Sequence, residues 1–161
     1  MHKVYLLTGS NEGNRQGNLA RAMELIAQQC GAITAQSAIY ETEAWGMKEQ
    51  AGFLNQALCL HTQLAPVELL KQLKSIEKQV GRVETVKWGP RVIDIDILLF
   101  DNEVVNLPEL IIPHPYMQER RFTLTPLADI AAYALHPVFN KSIAQLLSDC
   151  TDKSEVKNFT A

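Results

Sequence analysis

Short apolar runs and polar stretches alternate along the chain, and the period of each run sets out an element. KVYLLTG (3–9) is short, apolar and closed by Gly9, which predicts a first strand. The polar stretch from Ser10 to Gly17 follows. From Asn18 the apolar spacing becomes helical, with Leu19, Ala22, Met23 and Ile26 at i, i+3, i+4 and i+7, and Gly31 marks the stop. ITAQSAIYET (33–42) partly alternates and reads as one strand; FLNQALCLHT (53–62) reads as a longer one. Between them EAWGMKEQAG (43–52) has neither period and holds two glycines, so it is predicted as a loop. Pro66 opens a second helix, where its missing N–H costs nothing. Leu69, Leu70, Leu73, Ile76 and Val80 make its buried stripe, and Gly81 ends it. RVETVKWGPR (82–91) is a polar loop leading into the strand of GPRVIDIDILLF (89–100). Short extended pieces at 103–107 and 109–112 precede Pro113, and helices are predicted near 123–132 and 140–149.

The order strand, helix, strand, strand, helix, strand is that of a ferredoxin-like βαββαβ core. The expected class is α+β, with a mainly antiparallel sheet, helices packed on it and extra C-terminal elements. No helix separates 33–42 from 53–62, which weighs against a doubly wound sheet. Without a repeat or a Pro/Gly/Ser linker, residues 1–161 are expected to form one domain.

Composition narrows the classes. The chain is 47% hydrophobic and 20% charged, the balance of a globular protein. A formal charge of −3 gives no global attraction to nucleic acid or an acidic membrane, so any anion site must be a local cluster of cations. No apolar run approaches the roughly 18 to 20 residues of a membrane span, and the first residues are too polar for a secretory segment. Cys30, Cys59 and Cys150 are odd in number and widely spaced, which points to free thiols in a reducing cytoplasm.

Asp94 and Asp96 break the apolar pattern of the last long strand. Strict alternation puts Ile93, Ile95, Ile97 and Leu99 on one face, and Val92, Asp94, Asp96, Leu98 and Phe100 on the other. The two carboxylates then point the same way, roughly 6 to 7 Å apart by strand rise. A solvated outer face is one reading. Against it, Val92, Leu98 and Phe100 share that face, and two partly covered carboxylates this close repel unless protonated or neutralised. Divalent cations neutralise them well, and Mg²⁺ accepts one or two carboxylates beside water and phosphate oxygens. The flanks supply Lys74, Lys78, Arg82, Lys87 and Arg91 before the strand, and His114, Arg120 and Arg121 after it. With the acid pair, these read as a polyphosphate clamp, since arginine forks grip phosphate oxygens. Neither a Walker loop nor a Rossmann glycine motif is present, and GSNEGN (9–14) reads as a turn.

WGPRVIDIDILLF (88–100) resembles the signature of the 6-hydroxymethyl-7,8-dihydropterin pyrophosphokinases of folate biosynthesis. GSNEGN (9–14), YETEAWG (40–46) with FLNQAL (53–58), IEKQVGR (76–82) and IPHPYMQERRFTLTPLADIA (112–131) resemble the family's other blocks in the same order. Glu84 and Tyr116 stand where some members carry arginine. The resemblance implies pyrophosphate transfer from ATP to the pterin alcohol, releasing AMP. It implies two Mg²⁺ ions on Asp94 and Asp96, with Arg82 and Arg91 completing the catalytic set. ATP contacts would come from Leu70, Glu77, Arg82, Trp88, Arg91, Ile97, His114 and Arg120. Phe53 and Phe122 would sandwich the pterin and Asn55 would meet its polar edge, with Thr42, Glu43, Ala44 and Trp45 adding bonds. Loops 43–52 and 82–91 would close over bound ATP. A monomer in the cytoplasm is expected, with no nucleic-acid or membrane partner. Two other classes remain open at this point: a non-catalytic ferredoxin-like metal- or nucleotide-binding module, and an ordinary kinase transferring only the γ-phosphate.

Overall fold

The computed structural model describes residues 1–43, 52–82 and 90–160. Strand β1 (His2–Ser10) leads to helix α1 (Arg15–Gln29), then β2 (Gly31–Gln36), β3 (Tyr40–Thr42) and β4 (Phe53–Thr62). Helix α2 (Pro66–Val80) follows, then β5 (Asp94–Phe100) and the hairpin β6 (Val105–Leu107) with β7 (Leu110–Ile112). A 3₁₀ turn at Met117–Glu119, α3 (Arg121–Ala131), α4 (Ile143–Asp149) and β8 (Lys157–Asn158) complete the chain.

The sheet runs β5-β1-β4-β3-β8, with β2 also on β4, and every pairing is antiparallel. Taking β2 and β3 as one interrupted strand, this is the ferredoxin-like order fourth, first, third, second. One apolar cluster fills the space between the sheet and α1 and α2, built on Val4, Leu6, Leu19, Ile26, Leu58, Leu73 and Ile76. A second lies between the opposite face and α3 and α4, built on Tyr5, Leu7, Ala57, Leu98, Leu124, Leu127 and Ile143.

Three local features depart from the periodic expectation. Helix α1 starts at Arg15 and not at Asn18, because Asn14 caps it: its Oδ1 accepts the Gly17 N–H at 3.0 Å. The expected strand 33–42 is two strands. The Ser37 hydroxyl oxygen accepts the Ala57 N–H at 2.8 Å, a bond the ladder would otherwise take from a backbone carbonyl, and pairing resumes only at Tyr40. On β5 strict alternation fails at Leu98. Tyr5 faces Leu99 while Leu6 faces Ile97, so Leu98 is an extra residue in a bulge. Leu99 therefore joins the α3/α4 cluster and Phe100 the α1/α2 cluster, the reverse of the alternating assignment. Asp94 and Asp96 precede the bulge and keep the shared face.

Candidate active site

The sheet register brings the site together. Asp94 lies opposite Gly9, Gly9 opposite Asn55, and Asn55 opposite Tyr40, forming one row across four strands. Residues directly opposite one another share a face, and one step along Asp96 lies opposite Leu7, on the α3/α4 side. Gly9 leaves the middle of the row open. A Cβ there would stand 2.6 Å from Asn55 Nδ2, so the bare backbone makes room for that amide.

Helix α2 brings charge to the acid strand. Glu77, in its last turn, is buried, and its Oε2 accepts the Ile95 N–H at 2.7 Å. Gly81 ends the helix at φ 126°, a conformation few L residues adopt, and turns the chain so that Arg82 reaches back. Arg82 Nη1 lies 3.1 Å from Glu77 Oε2 and 2.8 Å from Asp94 Oδ1. Arg91 Nη1 lies 3.6 Å from Asp94 Oδ2.

The groups tune one another. Burial first, then repulsion from Asp94 and Glu77, pushes the Asp96 carboxyl up to about 7. Burial likewise raises Glu77, with Asp94 adding to the shift and the Ile95 N–H, Arg82 and Lys74 opposing it. Burial, then the Arg120 charge, pushes His114 down to about 4, so its imidazole is neutral at neutral pH. The His114 Nδ1 accepts the Tyr116 N–H at 3.3 Å, which leaves Nε2–H as the donor.

A cavity of about 320 Å³ opens beside these groups. Leu70, Lys74, Glu77, Arg82, Asp94, Asp96, Ile97 and His114 line it, and Pro108–Ile111 of the β6–β7 hairpin close one side. Two cationic arms, four carboxylates counting Glu109 of the hairpin, and apolar walls in one concavity suit a phosphate chain with an attached flat base. The carboxylate pair also suits divalent ions: oxygen donors partly out of water, one of them with its charged form disfavoured until a cation arrives.

On the far side of Gly9 the surroundings change. Asn55 is buried; its Nδ2 donates to the Thr8 carbonyl at 3.3 Å, and its Oδ1 has no partner among the described residues. A buried carbonyl oxygen left unpaired is costly, so this one marks a place for an external donor. Phe53, two residues earlier on the same face, faces Thr42 across the β3–β4 pair. Phe122, at the start of α3, packs on the second cluster. The Arg120 guanidinium carbon lies 5.6 Å from the Phe122 ring centroid, linking this side to the charged one.

Of the residues singled out in the sequence, eight line the cavity: Leu70, Lys74, Glu77, Arg82, Asp94, Asp96, Ile97 and His114. Arg91 joins through Asp94, and Arg120 through its charge on His114 and Asp96. Thr42, Phe53 and Asn55 sit along the neighbouring stretch of sheet, and Glu43 is exposed just past β3. Ala44, Trp45 and Trp88 lie outside the described residues, as does most of both expected closing loops.

Periodicity missed Asn11. Inside a stretch read as a turn, its Oδ1 accepts the Arg91 N–H at 2.7 Å and its N–H donates to the Arg91 carbonyl at 3.0 Å. This clasp fixes the backbone from which Arg91 reaches Asp94. Arg15 was missed as well: it binds the Glu41 carboxylate and the Gly52 carbonyl, so it ties β3 to the residue just before β4. Both signals were polar residues flanking a motif, too generic to read alone.

Comparison with known proteins gives a consistent answer. The family model described as 7,8-dihydro-6-hydroxymethylpterin-pyrophosphokinase matches residues 5–132. A 2-amino-4-hydroxy-6-hydroxymethyldihydropteridine pyrophosphokinase of Aquifex aeolicus is 42% identical over 153 residues, covering 95% of this chain and 95% of the relative. A protein of the same name from Bacillus subtilis is 46% identical over 128 residues, 79% of this chain and 77% of the relative. Among solved structures, wild-type HPPK-DHPS of Plasmodium falciparum with SDX-DHP superposes with a TM-score of 0.75 at 18% identity. That match covers 92% of this chain but 43% of the Plasmodium one, and shows the fold alone.

Proposed function

The chain belongs to the 7,8-dihydro-6-hydroxymethylpterin-pyrophosphokinase family, and from that membership we propose that it transfers pyrophosphate from ATP to 6-hydroxymethyl-7,8-dihydropterin in folate biosynthesis. The hydroxymethyl oxygen attacks the β-phosphorus of ATP and loses its proton. The bond from that phosphorus to the α,β-bridging oxygen breaks, and AMP leaves with the oxygen.

What carries the reading is the row Asp94–Gly9–Asn55. Two strand spacings separate the metal-ready carboxylate from the unpaired amide oxygen, roughly 10 Å. That span suits a phosphate chain at one end and a heterocycle's polar edge at the other. Asp94 and Asp96 would hold two Mg²⁺ ions in this reading, which would supply charge neutralisation for the phosphate oxygens.

The chain's own residues do the rest. Arg82 and Arg91, which lean on Asp94 here, would grip phosphate oxygens with their guanidinium forks. Neutral His114 donates through Nε2–H to the nucleotide. Leu70 and the backbone at Ile97 flank the adenine. Asn55 Oδ1 accepts from the pterin edge, and Phe53 and Phe122 stack on its faces. Trp88, Ala44, Trp45, Thr42 and Glu43 complete the binding surfaces.

In this reading the protein is a monomer. The pairing of β8 with β3 supports residues 1–161 as one domain. Three buried free cysteines support a cytoplasmic setting, and among the described residues no helix is long and apolar enough to cross a membrane.

Incubation with ATP, Mg²⁺ and the pterin alcohol, followed by chromatography of the nucleotides, tests the reaction. AMP is expected. ADP would mean γ-phosphate transfer, and unchanged ATP a non-catalytic module.

A further inference from the structure

Tyr116 keeps 54% of its surface exposed, yet three contacts tie it to the nucleotide side of the site. Its ring centroid lies 5.3 Å from the guanidinium carbon of Arg120. The ring stands edge-on to the His114 imidazole, with centroids 6.4 Å apart. Its backbone N–H donates to His114 Nδ1 at 3.3 Å.

Arg120 needs such support. Arg82 and Arg91 are steadied by Asp94, whereas among the described residues Arg120 makes no ion pair. Its backbone is anchored, because its carbonyl accepts the Thr123 and Leu124 N–H groups, both at 3.1 Å. The long side chain beyond is steered by two aromatic rings, Tyr116 and Phe122. A guanidinium over an aromatic face is attracted by the ring quadrupole. An arginine already steered loses less rotamer freedom on gripping a phosphate.

We propose that Tyr116 is a positioning residue: its ring, with Phe122, holds the Arg120 guanidinium at the edge of the nucleotide cavity before ATP arrives, and its N–H keeps His114 in the Nε2–H tautomer. This rests on the pyrophosphokinase reading. It assigns the task to the aromatic face and not to the phenol hydroxyl, so phenylalanine can replace it and alanine cannot.

Calorimetric binding of the Mg²⁺ complex of α,β-methylene-ATP to wild type, Tyr116→Phe, Tyr116→Ala, Arg120→Ala and the Tyr116→Ala/Arg120→Ala double variant decides this. Tyr116→Ala should weaken binding about fivefold, roughly 1 kcal/mol, the scale of one partly exposed cation–π contact. Tyr116→Phe should stay within about twofold of wild type, a difference too small for a lost cation–π contact. In the Arg120→Ala background the alanine should add nothing, because its effect travels through the arginine. Three results would each overturn the assignment: wild-type binding by Tyr116→Ala, Tyr116→Phe as weak as the alanine variant, or an undiminished loss without Arg120. Should Tyr116→Ala misfold, Tyr116→Leu gives the same comparison with the volume kept. Failure of the wild type to form AMP would sink the pyrophosphokinase reading separately, while the binding series still decides the role of Tyr116.

Discussion

Asn55 and Asp96 show how single residues depart from what folding alone prefers. Asn55 holds a buried carbonyl oxygen with no partner among the described residues, a cost to the free protein that substrate would offset. Asn55→Ala should raise KM for the pterin by about ten- to a hundredfold, the range of one or two buried hydrogen bonds. ATP affinity should hold steady and Tm should not fall, which steady-state kinetics and a thermal melt check; a lower Tm with unchanged KM would assign Asn55 to the fold. Asp96 titrates at about 7 against an ordinary 3.8. Its folded value lies above its unfolded one, so its contribution to stability is complete at acid pH and is lost as pH rises through that value. A bound cation would offset the burial, and the repulsion added to it, that cause the loss. The rise in Tm on adding Mg²⁺ should therefore be larger near pH 8 than near pH 6, and an equal rise at both would contradict the placement of Asp96.

Elements place these residues, and each element depends on a few local choices. β2 leaves α1 through Gly31, whose φ is 153° and where a Cβ would stand 2.1 Å from the His61 carbonyl oxygen. Gly31→Ala must push β2 off β4, and should cost more than about 3 kcal/mol in urea unfolding, beyond an ordinary glycine replacement. A loss below about 1 kcal/mol would mean that the β2–β4 contact yields easily. Periodicity made much of this level legible: β4 and α2 fall where their apolar spacing puts them, and Gly81 ends its helix as expected. The misses have specific causes. The break at Ser37 and the bulge at Leu98 come from side-chain and register choices that leave hydrophobicity unchanged, so no periodic signal marks them. The early start of α1 followed from an Asn14 cap hidden among other turn-forming residues.

At the scale of the whole molecule, the ferredoxin-like order was readable because helices separate only some of the strands. The α3/α4 layer and the return of β8 to β3 were less so, since short elements carry weak periodicity. The acid pair was legible because two aspartates in an aliphatic strand demand an explanation. The row that joins them to Asn55 through Gly9 was not, since it exists only once β1 lies between β4 and β5. In the proposed reading that row lets one sheet serve two substrates, with charge at its β5 edge and an aromatic, amide-lined surface beyond Gly9. The most direct test of this arrangement is the number of Mn²⁺ ions bound per chain in the presence of α,β-methylene-ATP, read by electron paramagnetic resonance for wild type and Asp96→Asn. The account predicts two ions for the wild type and fewer for the variant, in step with a loss of turnover of at least about a thousandfold. Two ions still bound by Asp96→Asn, or none by the wild type, would contradict it.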